Sequence, residues 1–264
     1  MTSPDPLLRL LRPFALHPDR SALVLDFDGV LAPIVVDPDA ARPLPEAVAA
    51  VERLVGRIGV VAVTSGRPLE FLQAVLPDHP DLVLVGQHGL ERAVGGRRMV
   101  DPSAEEFREA VAAATAEAES SDPELVVEWK GGIAVNLHWR TLPHRAAEWE
   151  ALGRRLAQRH GLAAHPMRMG MELRAPVSVD KGTAVAELAA GRHAALFAGD
   201  DHGDLAGFAA LDQLVASGRL DHAVRVAVRS DEAPPALLEA ADYQVDGPAG
   251  VAALLRRIAD SVAA

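Results

Sequence analysis

Residues 22–33 read A-L-V-L-D-F-D-G-V-L-A-P. The run 22–25 is apolar at every position and then meets Asp26, Asp28 and Gly29. Four consecutive apolar residues suit a strand buried on both faces, as in a parallel sheet covered by helices. Driving such a strand into two carboxylates needs a reason, because buried charge is costly unless it is paired or holds a metal.

Working outward, similar short runs recur at 59–63, 82–85, 194–198 and 225–228. Helical patterns at 45–57, 68–76, 181–191, 204–211 and 248–259 separate them. This alternation predicts an α/β fold with a Rossmann-like parallel sheet, whose sites lie at the carboxyl ends of the strands. Asp26, Thr64 with Ser65, and Asp200 with Asp201 all fall there. Residues 104–176 follow another rule. Two long amphipathic helical patterns (104–119 and 143–160) accompany strands of period-2 alternation at 124–130, 133–140 and 167–175. The reading is an α+β domain, 104–176, inserted into a core made of 1–103 and 177–264.

Composition narrows the function. Net charge is −11, and no basic cluster suits nucleic acid. No apolar run is long enough to span a membrane, and the first residues lack the pattern of a signal peptide. The absence of cysteine excludes disulfides and thiolate metal sites and fits a cytoplasmic protein. Among 26 basic residues only Lys130 and Lys181 are lysines, and Asn136 is the one asparagine. An arginine-rich composition reflects mutational bias. A lysine that survives it marks a place where a compact ammonium is wanted.

Asp26 and Asp28 stand two apart and can share one side of an extended segment. An Asx turn ending a strand would have the same letters. Three further elements favour chemistry. V-A-V-T-S-G-R-P (61–68) ends a strand in hydroxyls and Arg67 ahead of a helix start that attracts anions. V-D-K-G-T (179–183) sets Lys181 at another helix start, and F-A-G-D-D-H-G-D (197–204) ends a strand with Asp200 and Asp204. Carboxylates with backbone oxygen suit Mg²⁺, and a hydroxyl with an ammonium suits phosphate oxygens.

These four elements, in this order, resemble the haloacid dehalogenase superfamily of phosphohydrolases. More narrowly, S-G-R-P (65–68), G-Q-H-G-L-E (86–91), V-E-W-K…H-W-R (127–140), M-E-L-R…D-K-G (171–182) and G-D-D (199–201) resemble the trehalose-6-phosphate phosphatase family. Val30 stands where that family usually has Thr, and Gly203 and Leu205 replace a hydroxyl and an acid of its G-D-D-x-T-D-E. The resemblance implies hydrolysis of trehalose 6-phosphate through an aspartyl-phosphate, work alongside a trehalose-6-phosphate synthase, and a set of roles. Asp26 is the nucleophile and Asp28 the general acid and base. Ser65 and Lys181 hold the phosphoryl group, with Arg67 beside the substrate. Mg²⁺ lies on Asp26, the Asp28 carbonyl and Asp200, with Asp204 close by, and Asp201 stands behind them.

The inserted domain would act as a cap that selects the sugar and excludes water. Glu128 and Lys130 share one side of their strand, and Asn136, His138 and Arg140 share one side of the next. A two-residue turn at Gly131 and Gly132 would set these groups on opposite faces. A turn one residue longer pairs 130 with 134 and unites them, and this is the register expected. Arg168 and Glu172 alternate with apolar neighbours, so Glu172 can join the same face. An ordinary solvated sheet face would look alike, but Asn136 and Lys130 fall here, and the family uses the corresponding Glu, Lys and Glu for the sugar. His88 and Glu91 are further candidates. Phosphatases of other disaccharide-like phosphates (sucrose phosphate, glycosyl-phosphoglycerate, a pseudo-disaccharide phosphate) and sugar phosphomutases share much of this pattern. A phosphate-receiver domain also uses strand-end acids, a hydroxyl and a lysine, but it lacks an insert between Ser65 and Lys181.

Overall fold

The computed structural model describes residues 6–35, 37–167 and 169–263. The chain forms two compact units, Met1–Met99 with Val179–Ala264, and Val100–Ser178. The first holds β1 (Ser21–Asp26), β2 (Val60–Thr64), β3 (Leu82–Gly86), β4 (Glu91–Val94) and all but the last residue of β5 (Arg97–Val100). After the second unit's β6 (Val126–Lys130), β7 (Ala134–His138), β8 (Ala163–Met167) and β9 (Gly170–Arg174), the first resumes with β10 (Ala194–Gly199), β11 (His222–Arg229) and β12 (Tyr243–Asp246).

The large sheet has the order β12-β11-β10-β1-β2-β3-β4-β5. It is parallel from β12 to β3 and turns antiparallel at β4. All six residues of β1 are buried, and period 2 divides them between two cores. Leu23 and Leu25 pack into a layer with the helices Pro6–Leu16, Pro45–Leu54 and Gly247–Ala263. Ala22 and Val24 pack into the opposite layer, with the helices Lys181–Ala189 and Leu205–Ala216. Between Ser21, whose hydroxyl donates to the His17 carbonyl, and Asp26 at the strand's end, β1 is apolar at every position because both of its faces are covered.

Three elements carry no signal of the kind that marks β1. The β4–β5 hairpin turns through Gly95 and Gly96, both with positive φ, and its residues are mixed and partly exposed. β12 has four residues, of which Val245 alone is buried. β8 contains Pro166, which cannot donate to a ladder, and it lies at the edge of its sheet, where that loss is tolerated.

The second unit is a four-stranded antiparallel sheet of order β6-β7-β9-β8. One face, with Val135, Leu137, Met171 and Leu173, packs on Val111 and Ala114 of the helix Arg108–Ser121 and on Trp149 and Leu156 of Ala146–His160. Lys130 pairs with Ala134 across a three-residue loop, the expected register.

Candidate active site

β1 ends at Asp26, β2 continues into Ser65, and β10 continues into Asp200, so three adjacent strands deliver these groups to one edge of the sheet. Asp180 caps the helix Lys181–Ala189 and so places Lys181 at its first position. A Cβ on Gly182 would stand 2.7 Å from the Ala206 carbonyl oxygen. The glycine thus permits the close approach of the two helices that brings Lys181 to Asp204. Lys181 Nζ lies 2.9 Å from Asp26 Oδ1 and donates to Asp204 Oδ1 at 2.7 Å. The other Asp204 oxygen accepts the Asp200 and Asp201 backbone N–H groups at 2.8 and 3.1 Å. Asp204 is fully buried with every one of these contacts internal. Asp201 accepts from the Asp204 N–H at 3.2 Å and lies 3.9 Å from Lys181.

Beyond Asp26 the chain turns at Gly29, with φ +73°. A Cβ there would fall 2.0 Å from Asp200 Oδ2, so both the backbone and the space call for glycine. The Ser65 loop is held from below by residues 87–91. His88 N–H donates to the Ser65 carbonyl and Gln87 N–H to the Arg67 carbonyl. Gln87 and His88 both adopt positive φ, and a Cβ on Gly66 would lie 2.6 Å from the His88 ring. Glu91 is buried and accepts the Leu69 N–H at 2.8 Å while pairing with Arg98. Ser65 is buried, and its Oγ accepts the Arg67 N–H at 3.1 Å. Arg67 turns its guanidinium to Asp28, at 2.7 and 2.8 Å.

Charge in this edge is lopsided. Burial, reinforced by Asp204 and Asp200, pushes Asp26 well above the usual carboxylate range despite Lys181. Burial and then Asp204 and Asp201 push Asp200 up to about 7. Burial works to lower Lys181, but Asp26 and Asp204 overcome it and hold the ammonium charged. Oxygens of Asp26, Asp200 and Asp204 lie within 4.8 Å of one another. Three buried carboxylates facing one ammonium form a hard oxygen set with surplus negative charge, and this set fits a divalent cation.

On the second unit, β-sheet register builds a polar row one residue deep. Glu128 stands opposite Asn136, Asn136 opposite Glu172, and Glu172 opposite His165, one from each of the four strands. Glu128 accepts from Asn136 Nδ2 at 3.0 Å and lies 2.8 Å from His138 Nε2. The His138 hydrogen bond, with Lys130 and Asn136, holds Glu128 down at about 2. The next row sets Lys130 and Arg174 on the same face, with Ala134 between them and Ala163 beyond. Asn136 Oδ1 and Arg174 Nε and Nη1 are buried without a hydrogen-bond partner. Arg140 lies past the end of β7, exposed and outside the row, and Arg168 is outside the described residues. Period 2 from Glu172 would have found Arg174; His165 escaped because Pro166 hid its strand.

A parallel sheet with carboxylates at the end of its first strand, a hydroxyl after the next and a buried lysine on a helix start defines the haloacid dehalogenase-type fold. Solved structures agree. The chain superposes on the C-terminal domain of C. albicans trehalose-6-phosphate phosphatase with a TM-score of 0.73, at 22% identity over 96% of each chain. A trehalose-6-phosphate phosphatase related protein gives a TM-score of 0.70 at 23% identity, covering 90% of this chain and 97% of that one. The Trehalose-phosphatase family model matches residues 24–248, and the chain belongs to that family. It is 36% identical to the trehalose-phosphate phosphatase of Mycobacterium marinum over 184 residues, 68% of this chain and 46% of that protein. With the Mycobacterium avium protein it shares 33% over 260 residues, 93% of this chain and 63% of the relative. The chain thus covers less than two thirds of the length of these relatives. Among the described residues no helix is long and apolar enough to cross a membrane.

Proposed function

We propose that the chain is a Mg²⁺-dependent phosphatase that hydrolyses trehalose 6-phosphate to trehalose and phosphate. The observation that carries this reading is Asp26, buried at the end of β1, 2.9 Å from Lys181, with Asp200 and Asp204 beside it. Family membership supports the substrate.

Asp26, which ends β1 beside Lys181, attacks phosphorus in line. The phosphorus–oxygen bond to the sugar breaks, and the sugar oxygen leaves with the electron pair and takes a proton from Asp28. Water then attacks the aspartyl-phosphate and gives a proton to Asp28. The bond from phosphorus to Asp26 breaks, releasing phosphate and restoring the carboxylate. Ser65 and Lys181 hold the phosphoryl oxygens. Mg²⁺, held by Asp26, Asp200 and the Asp28 carbonyl, would neutralise charge between nucleophile and phosphate. Asp204 keeps Lys181 and the Asp200 backbone in place. Residues 104–176 supply sugar selection through Glu128, Lys130, Asn136, His138 and Glu172, with Arg140 at the margin of that face. A cysteine-free chain of this family fits the cytoplasm, in sequence with a trehalose-6-phosphate synthase.

The test is phosphate release from a panel of trehalose 6-phosphate, sucrose phosphate and glycosyl-phosphoglycerate, with Mg²⁺ and with EDTA. Trehalose 6-phosphate should lead the panel, and EDTA should stop it. Undiminished turnover in EDTA, or a strong preference for another sugar, would refute the corresponding half of the reading.

A further inference from the structure

Arg67 lies in the loop that follows β2, 39 residues from Asp28 in sequence. Its Nε donates to Asp28 Oδ2 at 2.7 Å and its Nη2 to Asp28 Oδ1 at 2.8 Å, a two-pronged contact that fixes both the place and the plane of the carboxylate. Nη1 donates to the Pro38 carbonyl at 2.7 Å. The guanidinium also lies over the Phe71 ring, 4.2 Å from its centroid, with the Phe27 ring at 5.7 Å. Those two rings meet edge to face at 5.7 Å. The backbone on either side is tied as well, the Arg67 N–H to Ser65 Oγ and the Arg67 carbonyl to the Gln87 N–H. Every part of this arginine is therefore held, and three of its five N–H donors are engaged inside the protein.

Asp28 is the less constrained partner. Its side chain is 36% exposed, against 15% for Arg67, and among its hydrogen bonds those from Arg67 fix the carboxylate. Sequence suggested Arg67 for the substrate, but two of its three engaged donors go to Asp28. We propose that Arg67 is a positioning residue that sets the orientation of the Asp28 carboxyl group for proton transfer. Phe27 and Phe71 act as the frame that keeps the fork from rotating. A lysine in its place would bring the charge without the planar fork, and so would not orient both oxygens.

The inference rests on the reading of Asp28 as general acid and base, and leaving-group dependence tests both. A sugar oxygen needs a proton to leave, whereas p-nitrophenolate does not. Arg67→Ala should lower kcat for the sugar phosphate by about 10²-fold, the lower end of general acid–base effects, with KM little changed. Arg67→Lys should not restore it. In the same variants, the first turnover of p-nitrophenyl phosphate, read as a rapid burst of nitrophenolate, should keep the wild-type rate, which also shows that the fold and nucleophile are intact. Asp28→Asn, run in parallel, should show the same leaving-group dependence. If Asp28→Asn slows the nitrophenolate burst as much as the sugar reaction, the role of Asp28 falls and the inference falls with it. If Asp28→Asn behaves as expected but Arg67→Ala slows both substrates equally, or acts through KM, Arg67 holds phosphate and the inference alone is overturned. Full recovery by Arg67→Lys would overturn it too.

Discussion

The strand-end site of the first unit and the polar face of the second use charged residues in opposite ways. At the strand ends, Lys181 Nζ lies 2.9 Å from Asp26 and 2.7 Å from Asp204, and Asp204 has both oxygens engaged by the protein itself. On the second sheet the polar residues stand side by side across four strands; Arg174 Nε pairs with Glu172 at 3.6 Å, while buried Asn136 Oδ1 and Arg174 Nη1 accept or donate no hydrogen bond. Phosphoryl transfer needs charge fixed at one point in a dry setting, where its effect is greatest. Recognition of a sugar needs directional hydrogen bonds spread over a ring. Unpartnered buried donors and acceptors then penalise a ligand that lacks the matching hydroxyl. On the proposed function, the first arrangement would perform the reaction and the second would select the molecule.

Its strongest test removes the point of charge. Asp26→Asn should abolish turnover, and acid-quenched radiolabelled substrate should give covalent label in the wild type only. Label in the variant would break the assignment of the nucleophile, and with it the contrast.

Next comes the spread site. Alanine at Glu128, Lys130 or Glu172 should each cut kcat/KM for trehalose 6-phosphate by roughly 10–150-fold, from about 1.5–3 kcal/mol per charged hydrogen bond. Hydrolysis of p-nitrophenyl phosphate should barely change. Ser65→Ala and Lys181→Ala should damage both reactions. Equal losses for both substrates in the second-unit variants would erase the division of labour.

A smaller effect reads the crowding of acids directly. Asp200 sits at about 7 against an ordinary 3.8, so between those values the unfolded chain binds fewer protons than the folded one. Stability of EDTA-treated protein should therefore fall as pH rises through this window, and Asp26 adds to it in the same direction. Tm measured from about pH 5 to about pH 8 should drop by several degrees. Asp200→Asn should remove much of the slope, and Mg²⁺ should raise Tm most at the upper end. A flat profile would mean that the acids are better compensated than their placement implies.

The smallest change is expected at Glu128, whose carboxyl carbon should titrate near 2 by NMR. His138→Ala should move it towards the ordinary 4.5, since the His138 hydrogen bond is the largest cause of the shift. A depressed acid adds stability above its unfolded pKa, and that increment is lost as pH falls through the folded value. Glu128 is half-exposed, so solvent screens the effect on Tm. An unchanged titration would remove the His138 contact from the row.

Local pattern was enough for five strands of the parallel sheet and the helices between them, but not for β12 or for the helices Pro6–Leu16 and Pro235–Ala240. Runs such as 22–25 and 194–198 are apolar at every position, because both faces of the strands are covered, and nothing beyond neighbouring residues is needed to see it. The same holds for the strand-end positions of Asp26, Ser65, Lys181 and Asp200, which lie where those runs stop. Pairing was another matter. In G-D-D-H-G-D the three acids look alike, yet the fold gives Asp204 to Lys181 and two N–H groups, leaves Asp200 facing Asp26, and caps a turn with Asp201. Arg67 finds Asp28, and β8 forms at an edge that tolerates Pro166, only because distant segments are brought side by side. Backbone period depends on residues two to four apart, whereas the partner of a side chain depends on which strand or helix arrives beside it. The first is written along the chain, and the second exists only once the chain has folded.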